Sequence, residues 1–372
     1  MRIDKTKWNK TTLEMLCTSA SSDIVISKTS VGCGDYRLFG ASGLVGNVEF
    51  FHKDKPYLGV VKDGSGVGRV DKYPAYSSLV GTMQYLHPTE IADIDFLKYL
   101  LISLNLAKYV KGAAIPHIYY RHYKNEKVLL PSLSEQQTIA KELDAVMAMI
   151  DGYKAHISDF DELAKSLFLD TLGDPVINEK KWQIKSLSSL CNKMSTGPFG
   201  SMLHKSDYVV EGIPSVNPQN IKGSKVVIDG IAKVSYQKAE ELSKYYLKEN
   251  DIILARRGDL SKCAIITPKE QGWLCGTGSF FLHIEEVLPI VFYYQFTSKS
   301  IQKQLLEKSI GATMPNLNQG ILSKLMIPVP PIDIQQKFAS QIEAIEKQKA
   351  ILCEQLADAE QLMAERMQYY FS

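Results

Sequence analysis

The residues that most resemble a catalytic motif form a glycine-rich run, GSGVG, which begins at Gly64 and follows the apolar run YLGVV. A phosphate-binding loop needs such glycines directly before a helix, because the N–H groups at the helix start hold the phosphate. The residues that follow, RVDKYPAYSS, have no helical pattern. We therefore expect no nucleotide site at this loop.

Other chemically suggestive residues also fail to form a complete site. NPQN at Asn217 is similar to the Asn-Pro-Pro-aromatic loop of amino-methyltransferases, but it lacks the aromatic ring that stacks on a flipped base. The stretch GDPVINEKK offers Asp174, Glu179 and Lys181, yet these lie in a predicted hinge rather than on adjacent strands. The histidines show no HxxxH spacing, no Gly-x-Ser-x-Gly elbow occurs, and the six cysteines form no CxxC pair. The sequence predicts neither a catalytic nor a metal site.

The remaining polar candidates are side chains suited to contacting DNA. Lysine and arginine bind phosphate, arginine can also bind guanine through two hydrogen bonds, and asparagine can bind adenine in the same way. A solvated loop is the alternative for the arginines of ARRGDLSK at Ala255, and helix packing is the alternative for the residues after each Gly-Ala-x-x-Pro turn. The candidate DNA-contacting residues are Lys62, Ser65, Arg69, His117, Tyr119, Lys205, Asn217, Asn220, Arg256, Arg257, Lys262, Asn316 and Asn318.

These candidates lie on two copies of one unit. GAAIPHIYYRHYKNEKVLLPSLSEQQTIAKEL, from Gly112, matches GATMPNLNQGILSKLMIPVPPIDIQQKFASQI, from Gly311, without a change of register. Upstream, KWNKTTLEMLC at Lys7 matches KWQIKSLSSLC at Lys181, and VVKDG at Val60 matches LARRG at Leu254. A repeat of this length predicts a duplicated architecture.

Each copy ends in a predicted long helix with an apolar seam. Steps of four and three residues are the heptad spacing of a coiled coil, and two matched seams most simply pair with each other. Packing of each helix on its own body is the alternative. The seam residues are Ile139, Leu143, Val146, Ile150, Tyr153, Ile157, Phe160, Ala164 and Leu167 in the first helix, and Phe338, Ile342, Ile345, Lys349, Leu352, Leu356, Ala359 and Met363 in the second.

Nearby residues explain where these helices begin and end, and why one lysine, Lys349, lies in the second seam. Prolines 131, 330 and 331 forbid helix before them, and Ser134 or Asp333 can cap the first turn. Gly173 and Pro175 should end the first helix. Lys349 either lays its stem along the seam with its ammonium in water or sets the register of the pair.

Ahead of each helix lies a predicted mixed α/β body. YLGVV, DIILA and CAIIT are typical of strands, whereas DFLKYLLISLNLAKYV and PIVFYYQFTSKSIQKQLL have helical period. The predicted division is a body at 1–130, a helix at 131–173, a body at 174–329 and a helix at 330–372. The first body is the shorter, and we expect its edge either to be thin or to be completed by the C-terminus.

Composition and charge narrow the class of protein. The 372 residues carry a net charge of +2, but residues 133–172 hold −5 and residues 333–372 hold −3, which leaves +10 on the bodies. No apolar run could span a bilayer and the N-terminus is too polar for a signal peptide, so we expect a cytosolic protein with free thiols. Basic bodies without catalytic residues are candidates for DNA binding, and two of them with different loops imply an asymmetric, divided target.

Over nearly its whole length the chain resembles the specificity subunits of type I restriction-modification systems. The turns GAAIPHI and GATMPNL, the helix entries LPSLSEQQ and VPPIDIQQ, the linker LGDPVIN and the repeated body-plus-helix order carry this resemblance. It implies an α/β fold with two target-recognition domains on an antiparallel coiled-coil spacer, binding a bipartite double-stranded DNA target.

The resemblance also implies the partners and the cofactors. Two methyltransferase subunits would grip the spacer and translocase-nuclease subunits would join them. S-adenosylmethionine and ATP with Mg²⁺ would then belong to those partners, with no cofactor in this chain. Two other functions compete with this one: an adaptor built on a coiled coil without DNA contact, and a self-sufficient nuclease.

Overall fold

The computed structural model describes residues 4–112, 116–309 and 316–372. It divides into two compact units, Met1–Ala155 with Leu352–Ser372, and His156–Ile351. Each unit therefore contains one of the predicted bodies together with about half of each long helix. The GAAIP and GATMP turns lie mostly outside the described residues, at 113–115 and 310–315.

The first unit contains a four-stranded antiparallel sheet, a three-stranded sheet and a two-stranded ribbon. The strand orders are β2-β8-β5-β6, β4-β3-β7 and β1-β9. The strands are β1 (Asn9–Thr12), β2 (Cys17–Ser21), β3 (Tyr36–Gly40), β4 (Gly43–Val48), β5 (Tyr57–Val61), β6 (Val70–Tyr73), β7 (Ser77–Leu79), β8 (Met83–Pro88) and β9 (Lys127–Leu130). The helices are α1 (Leu13–Leu16), α2 (Ile94–Ser103) and the long α3 (Leu133–Leu172).

The second unit repeats this plan with additional elements. Its strand orders are β11-β20-β17-β18, β12-β16-β13-β19, β10-β21 and β14-β15. The strands are β10 (Gln183–Ser186), β11 (Cys191–Thr196), β12 (Tyr208–Val209), β13 (Ile213–Val216), β14 (Ile221–Lys222), β15 (Lys225–Val226), β16 (Ala232–Val234), β17 (Ile252–Ala255), β18 (Cys263–Ile265), β19 (Leu274–Cys275), β20 (Ser279–Ile284) and β21 (Met326–Val329). The helices are α4 (Leu187–Leu190), α5 (Tyr236–Glu241), α6 (Pro289–Thr297), α7 (Lys299–Lys308), α8 (Gln319–Ser323) and the long α9 (Ile332–Phe371).

Strands β5 and β17 are apolar at successive positions because both of their faces are buried. On β5, Leu58 and Val60 pack into the cluster that contains α2, whereas Tyr57 and Val61 pack into a second cluster under β3. On β17, alternate residues divide between two clusters in the same way. Since side chains alternate between the faces of a strand, burial on both sides requires an unbroken apolar run.

A buried glutamine fixes the start of each long helix to its body. The Gln136 side-chain amide donates to the carbonyls of Pro131 and Ile91, and its oxygen accepts the Asp93 N–H at 2.8 Å. Gln335 makes the corresponding three bonds in the second unit. The repeated Gln-Gln pair therefore contains one buried clamp followed by one exposed residue.

In the first unit the early part of α3 packs against the late part of α9. Val146, Ile150 and Ala359 are buried together, and Lys154 forms an ion pair with Glu360 at 2.9 Å. Near the other end of this segment, Glu142 accepts a hydrogen bond from the Tyr370 hydroxyl and forms an ion pair with Arg366. Pairing of early with late residues makes the two helices antiparallel, as predicted.

In the second unit the late part of α3 packs against the early part of α9. Ala164 and Phe168 are buried with Phe338 in the main core of that unit. Lys349 pairs with Asp161 at 2.6 Å and with Glu346 at 3.1 Å, and 19% of its side chain is exposed. Burial opposes the charge on Lys349, but these two acceptors outweigh it and raise its pKa. The Lys349 ammonium is thus bound across the helix pair rather than released to water.

The ends of the helices also enter the cores of the bodies, so both predicted packing modes occur. Ile139, Leu143 and Tyr370 lie in the core of the first unit, and the ring of Phe371 lies 5.5 Å from that of Phe96 at a tilt of 51°. The first body is therefore completed by C-terminal residues, as one of the two sequence expectations stated. Eight of the predicted seam positions are only half-buried: Tyr153, Ile157, Phe160, Leu167, Lys349, Leu352, Leu356 and Met363.

Three local predictions need correction. The cap of α3 is Ser132, whose hydroxyl and N–H exchange hydrogen bonds with Glu135, whereas Ser134 lies inside the first turn. Asp333 likewise lies inside the first turn of α9, which begins at Ile332. The predicted helix at 95–110 ends at Ser103, because Asn105 adopts a left-handed backbone with φ 47°. The predicted helix at 289–306 is divided at Ser298, whose hydroxyl caps α7.

Candidate nucleic-acid interface

The loops after β5 and β17 have the same backbone connections in the two units. The Lys62 N–H donates to Thr82 O at 3.0 Å, and the Lys62 carbonyl accepts the Ile118 N–H at 2.9 Å. In the second unit the Arg256 N–H donates to Gly278 O and the Arg256 carbonyl accepts the Leu317 N–H, both at 2.9 Å. Lys62 and Arg256 therefore occupy equivalent positions, held between a neighbouring strand and the segment after the repeated turn.

One residue further on, each loop forms an isolated bridge to that segment. Asp63 pairs with His117, and Arg257 pairs with Asn316. The structure thus brings the candidate residues at 62 and 117 together in one unit, and those at 256, 257 and 316 together in the other. Both bridges join the same two places of the repeat, although the chain between them is 54 residues long in the first unit and 59 in the second.

The other candidates of the first unit surround the same loop. Ser65 and Arg69 are exposed, and the Arg69 guanidinium is held by the Ala41 carbonyl. The ring of Tyr119 is 41% exposed, and the Arg121 guanidinium lies over it with a centroid distance of 4.7 Å. Arg121 was not predicted. Its place two residues after an exposed tyrosine is the signal that could have indicated it.

In the second unit the arginine pair is free for a ligand. Among the residues that the structure describes, neither the Arg256 nor the Arg257 side chain makes a hydrogen bond or an ion pair. Burial, together with the charge on Arg257, lowers the pKa of Arg256. Two adjacent, unneutralised guanidinium groups would gain most from a phosphate or a guanine edge.

Three candidates of this unit have structural contacts that change their interpretation. Asn217 Oδ1 accepts the Gly278 N–H at 3.2 Å, and the Lys262 ammonium donates to the Pro218 carbonyl at 2.9 Å. Both side chains therefore support the loop that carries Arg256. Asn220 is 1% exposed and accepts the Asn217 N–H, so its burial excludes a direct DNA contact in this conformation.

The last three candidates of this unit lie in different surroundings. Asn318 caps α8 by accepting the Ile321 N–H at 2.9 Å, so the helix-packing alternative is the better one for this residue. Asn316 Oδ1 is buried and has no hydrogen-bond partner among the described residues. Lys205 is exposed on a short 3₁₀ helix, Lys205–Asp207.

Neither a metal site nor a membrane span is found in the described part of the chain. No cluster of three or more His, Cys, Asp or Glu residues there could hold a metal ion. No helix there has the length and apolar character required to cross a bilayer. The glycine-rich loop that begins at Gly64 leads into β6, and a strand offers no helix N-terminus for a phosphate.

Comparison with known families agrees with the duplication. Residues 5–158 and 179–361 match the model of the Type I restriction modification DNA specificity domain. The chain belongs to this family. The two matched segments each combine one body with part of a long helix, so the family unit and the sequence repeat coincide.

Curated relatives resemble the chain at low identity. The specificity subunit of the type I restriction enzyme MjaVIII from Methanocaldococcus jannaschii is 24% identical over 274 residues, which cover 67% of this chain and 63% of that protein. The EcoBI specificity subunit from Escherichia coli is 20% identical over 260 residues, which cover 63% and 54% respectively. The aligned part thus spans roughly three fifths of each relative.

Solved structures share the fold over the whole chain. The S subunit of the type I restriction-modification system from M. genitalium has a TM-score of 0.65 at 16% identity, covering 100% of this chain and 98% of that one. A chain from a structure that addresses complex assembly and conformational transition of the type I system has a TM-score of 0.57 at 14% identity, covering 97% and 96%. These matches show two domains of mixed α/β structure with long helices as the shared architecture.

Proposed function

We propose that this chain is the DNA-recognition subunit of a type I restriction-modification complex and that it binds a bipartite, asymmetric target. The observation that carries the proposal is the pair of equivalent loops, each presenting a cation, at Lys62 and at Arg256, on a duplicated scaffold of the specificity family. Different side chains in the two loops would select different half-sites.

In this proposal the chain recognises the DNA sequence, and its partner subunits carry out methylation, translocation and cleavage. Two methyltransferase subunits and the translocase-nuclease subunits would assemble around the paired helices, and S-adenosylmethionine and ATP with Mg²⁺ would bind to those partners. Calorimetric titration with S-adenosylmethionine should give binding to the assembled complex and none to the chain alone.

The competing function is an adaptor that contacts only protein. A titration of the full-length chain, free and in complex with its co-expressed methyltransferase, against a fluorescent duplex at several salt concentrations separates the two. Recognition of DNA predicts an affinity that falls steeply with salt, because each neutralised phosphate contributes a slope of about −0.9 to log K against log [salt]. An adaptor predicts no measurable affinity at any salt concentration.

A further inference from the structure

The positions directly after Lys62 and Arg256 are equivalent, yet they carry opposite charges. Asp63 follows Lys62 and Arg257 follows Arg256, and each forms the isolated bridge to the segment after the repeated turn. Each is followed by a glycine with positive φ, +95° at Gly64 and +77° at Gly258. The backbone therefore places Asp63 and Arg257 at the same position of two equivalent turns.

The side chains of Asp63 and Arg257 are both available to a ligand. Within the described residues, Asp63 and Arg257 make no side-chain hydrogen bond and no ion pair. Asp63 is half-buried and Arg257 is exposed. The preceding residue is basic in both units, so the duplication keeps a cation at one position and reverses the charge at the next.

A free carboxylate on a surface that binds DNA needs a specific partner. Phosphates repel it, so general backbone contact would select against Asp63. In the major groove a carboxylate can accept hydrogen bonds from the exocyclic amino groups of cytosine and adenine, whereas arginine binds O6 and N7 of guanine. The two residues thus have complementary chemistry for different base edges.

We propose that Asp63 and Arg257 are specificity-determining residues at equivalent positions of the two half-sites. Asp63 selects a base with an amino donor in the major groove, cytosine or adenine, and Arg257 selects guanine. This inference rests on the proposed function, which it deepens by assigning one base class to each half-site.

The test uses the full-length chain co-expressed with its methyltransferase, followed by selection of bound duplexes from a random library. Asp63→Ala removes both acceptor oxygens and should reduce the preference for the amino base, whether cytosine or adenine, about 5- to 150-fold at one position of one half-site. Arg257→Gln should shift one position of the other half-site from guanine toward adenine. Whether the wild-type position is cytosine or adenine is read from the same selection.

Glu90→Ala is the matched control, because it also removes a carboxylate, here from an exposed residue. Glu90 follows the end of β8, whereas Thr82, which contacts the Lys62 loop, precedes its start. The control should leave both half-sites unchanged. The inference is overturned if Asp63→Ala raises affinity for all duplexes alike with an unchanged motif, since the carboxylate would then only repel phosphate. A wild-type complex that selects no motif overturns the proposed function itself, whereas a bipartite motif that both variants retain overturns this inference alone.

Discussion

At the residue scale, the cationic loops could be predicted because charge and repeat position are visible in the sequence. Lys62 and Arg256 were placed by alignment of the two copies, and their backbones make the same two hydrogen bonds. Asn220 and Asn318 could not be excluded in this way, because an asparagine suited to adenine is equally suited to capping a turn. Their capping bonds to Asn217 and Ile321 decide between these roles.

The arginine pair yields a prediction for DNA affinity. Arg256→Ala and Arg257→Ala should each weaken binding by roughly 1 to 3 kcal/mol if the side chains contact bases, because neither guanidinium has a hydrogen-bond or ion-pair partner within residues 4–112, 116–309 and 316–372. Titration of the complex with its selected duplex measures the effect. Unchanged affinity in both variants would remove this loop from the interface.

The glutamine clamp yields a prediction for stability. Gln335→Ala should destabilise the second unit by roughly 2 to 3 kcal/mol, because the Leu288 N–H and the carbonyls of Glu286 and Pro330 lose their buried partner. Thermal unfolding should shift downward by roughly 4 to 12 °C. The neighbouring Gln336→Ala is the control, since Gln336 is exposed and should shift the transition little.

At the scale of elements, the helices and the central strands could be predicted, whereas their ends could not. Heptad spacing depends only on which positions are apolar. Both seams, Ile139 to Leu167 and Phe338 to Met363, could therefore be predicted from the sequence. The division at Ser298 depends on a single hydroxyl that caps α7. The entry of Phe168 and Tyr370 into the cores of the units depends on tertiary contacts that periodicity does not encode.

The seam of the first unit yields a prediction for the helix pair. Ile150 is 4% exposed and packs with Val146 and Ala359, so Ile150→Asp should bury an unpaired charge and cost about 3 to 5 kcal/mol. Met149→Asp is the control, because Met149 is 47% exposed and should change stability by no more than about 0.5 kcal/mol. Leu352, the other obvious target from the sequence, is half-buried and a weaker probe.

Assembly provides the second measurement on these variants. If the paired helices form the methyltransferase-binding spacer, Ile150→Asp should abolish co-purification of the methyltransferase while Met149→Asp retains it. Normal assembly and unchanged unfolding of Ile150→Asp would mean that this seam contributes nothing to the helix pair.

At the scale of the whole molecule, the duplication could be predicted from the register of the two copies alone. What the sequence could not supply is the way each unit is completed by residues distant in the chain. Tyr370 enters the core that contains Leu13 and Phe96, because the antiparallel pairing returns the end of α9 to the first body. The completion of the first body by the end of α9 therefore depends on the direction and the length of α3 and α9.

The helices yield a prediction for the spacing of the target. Each has 40 residues and rises about 60 Å. Lys154 pairs with Glu360 in the first unit and Asp161 pairs with Lys349 in the second, so Ala155 and Gln355 are matched insertion points. One heptad inserted after each keeps both seams in register and adds roughly 10 Å, or up to about 3 base pairs.

The elongated protein should therefore keep both half-sites and acquire a longer unspecified spacer. A heptad inserted into α3 alone serves as the control, because it shifts the seams out of register and should prevent assembly. An elongated protein that keeps the original spacer but changes its half-sites would show that these helices do not set the distance between them.

The central claim, that this chain directs a methyltransferase to a divided DNA sequence, is tested most directly by methylation mapping. The chain is co-expressed with the methyltransferase proposed as its partner, and modified bases are located across the host DNA by single-molecule sequencing. We predict one asymmetric motif with two specified half-sites separated by an unspecified spacer of fixed length, absent when the chain is omitted. Methylation that is absent, or that follows the same motif without this chain, would contradict the account.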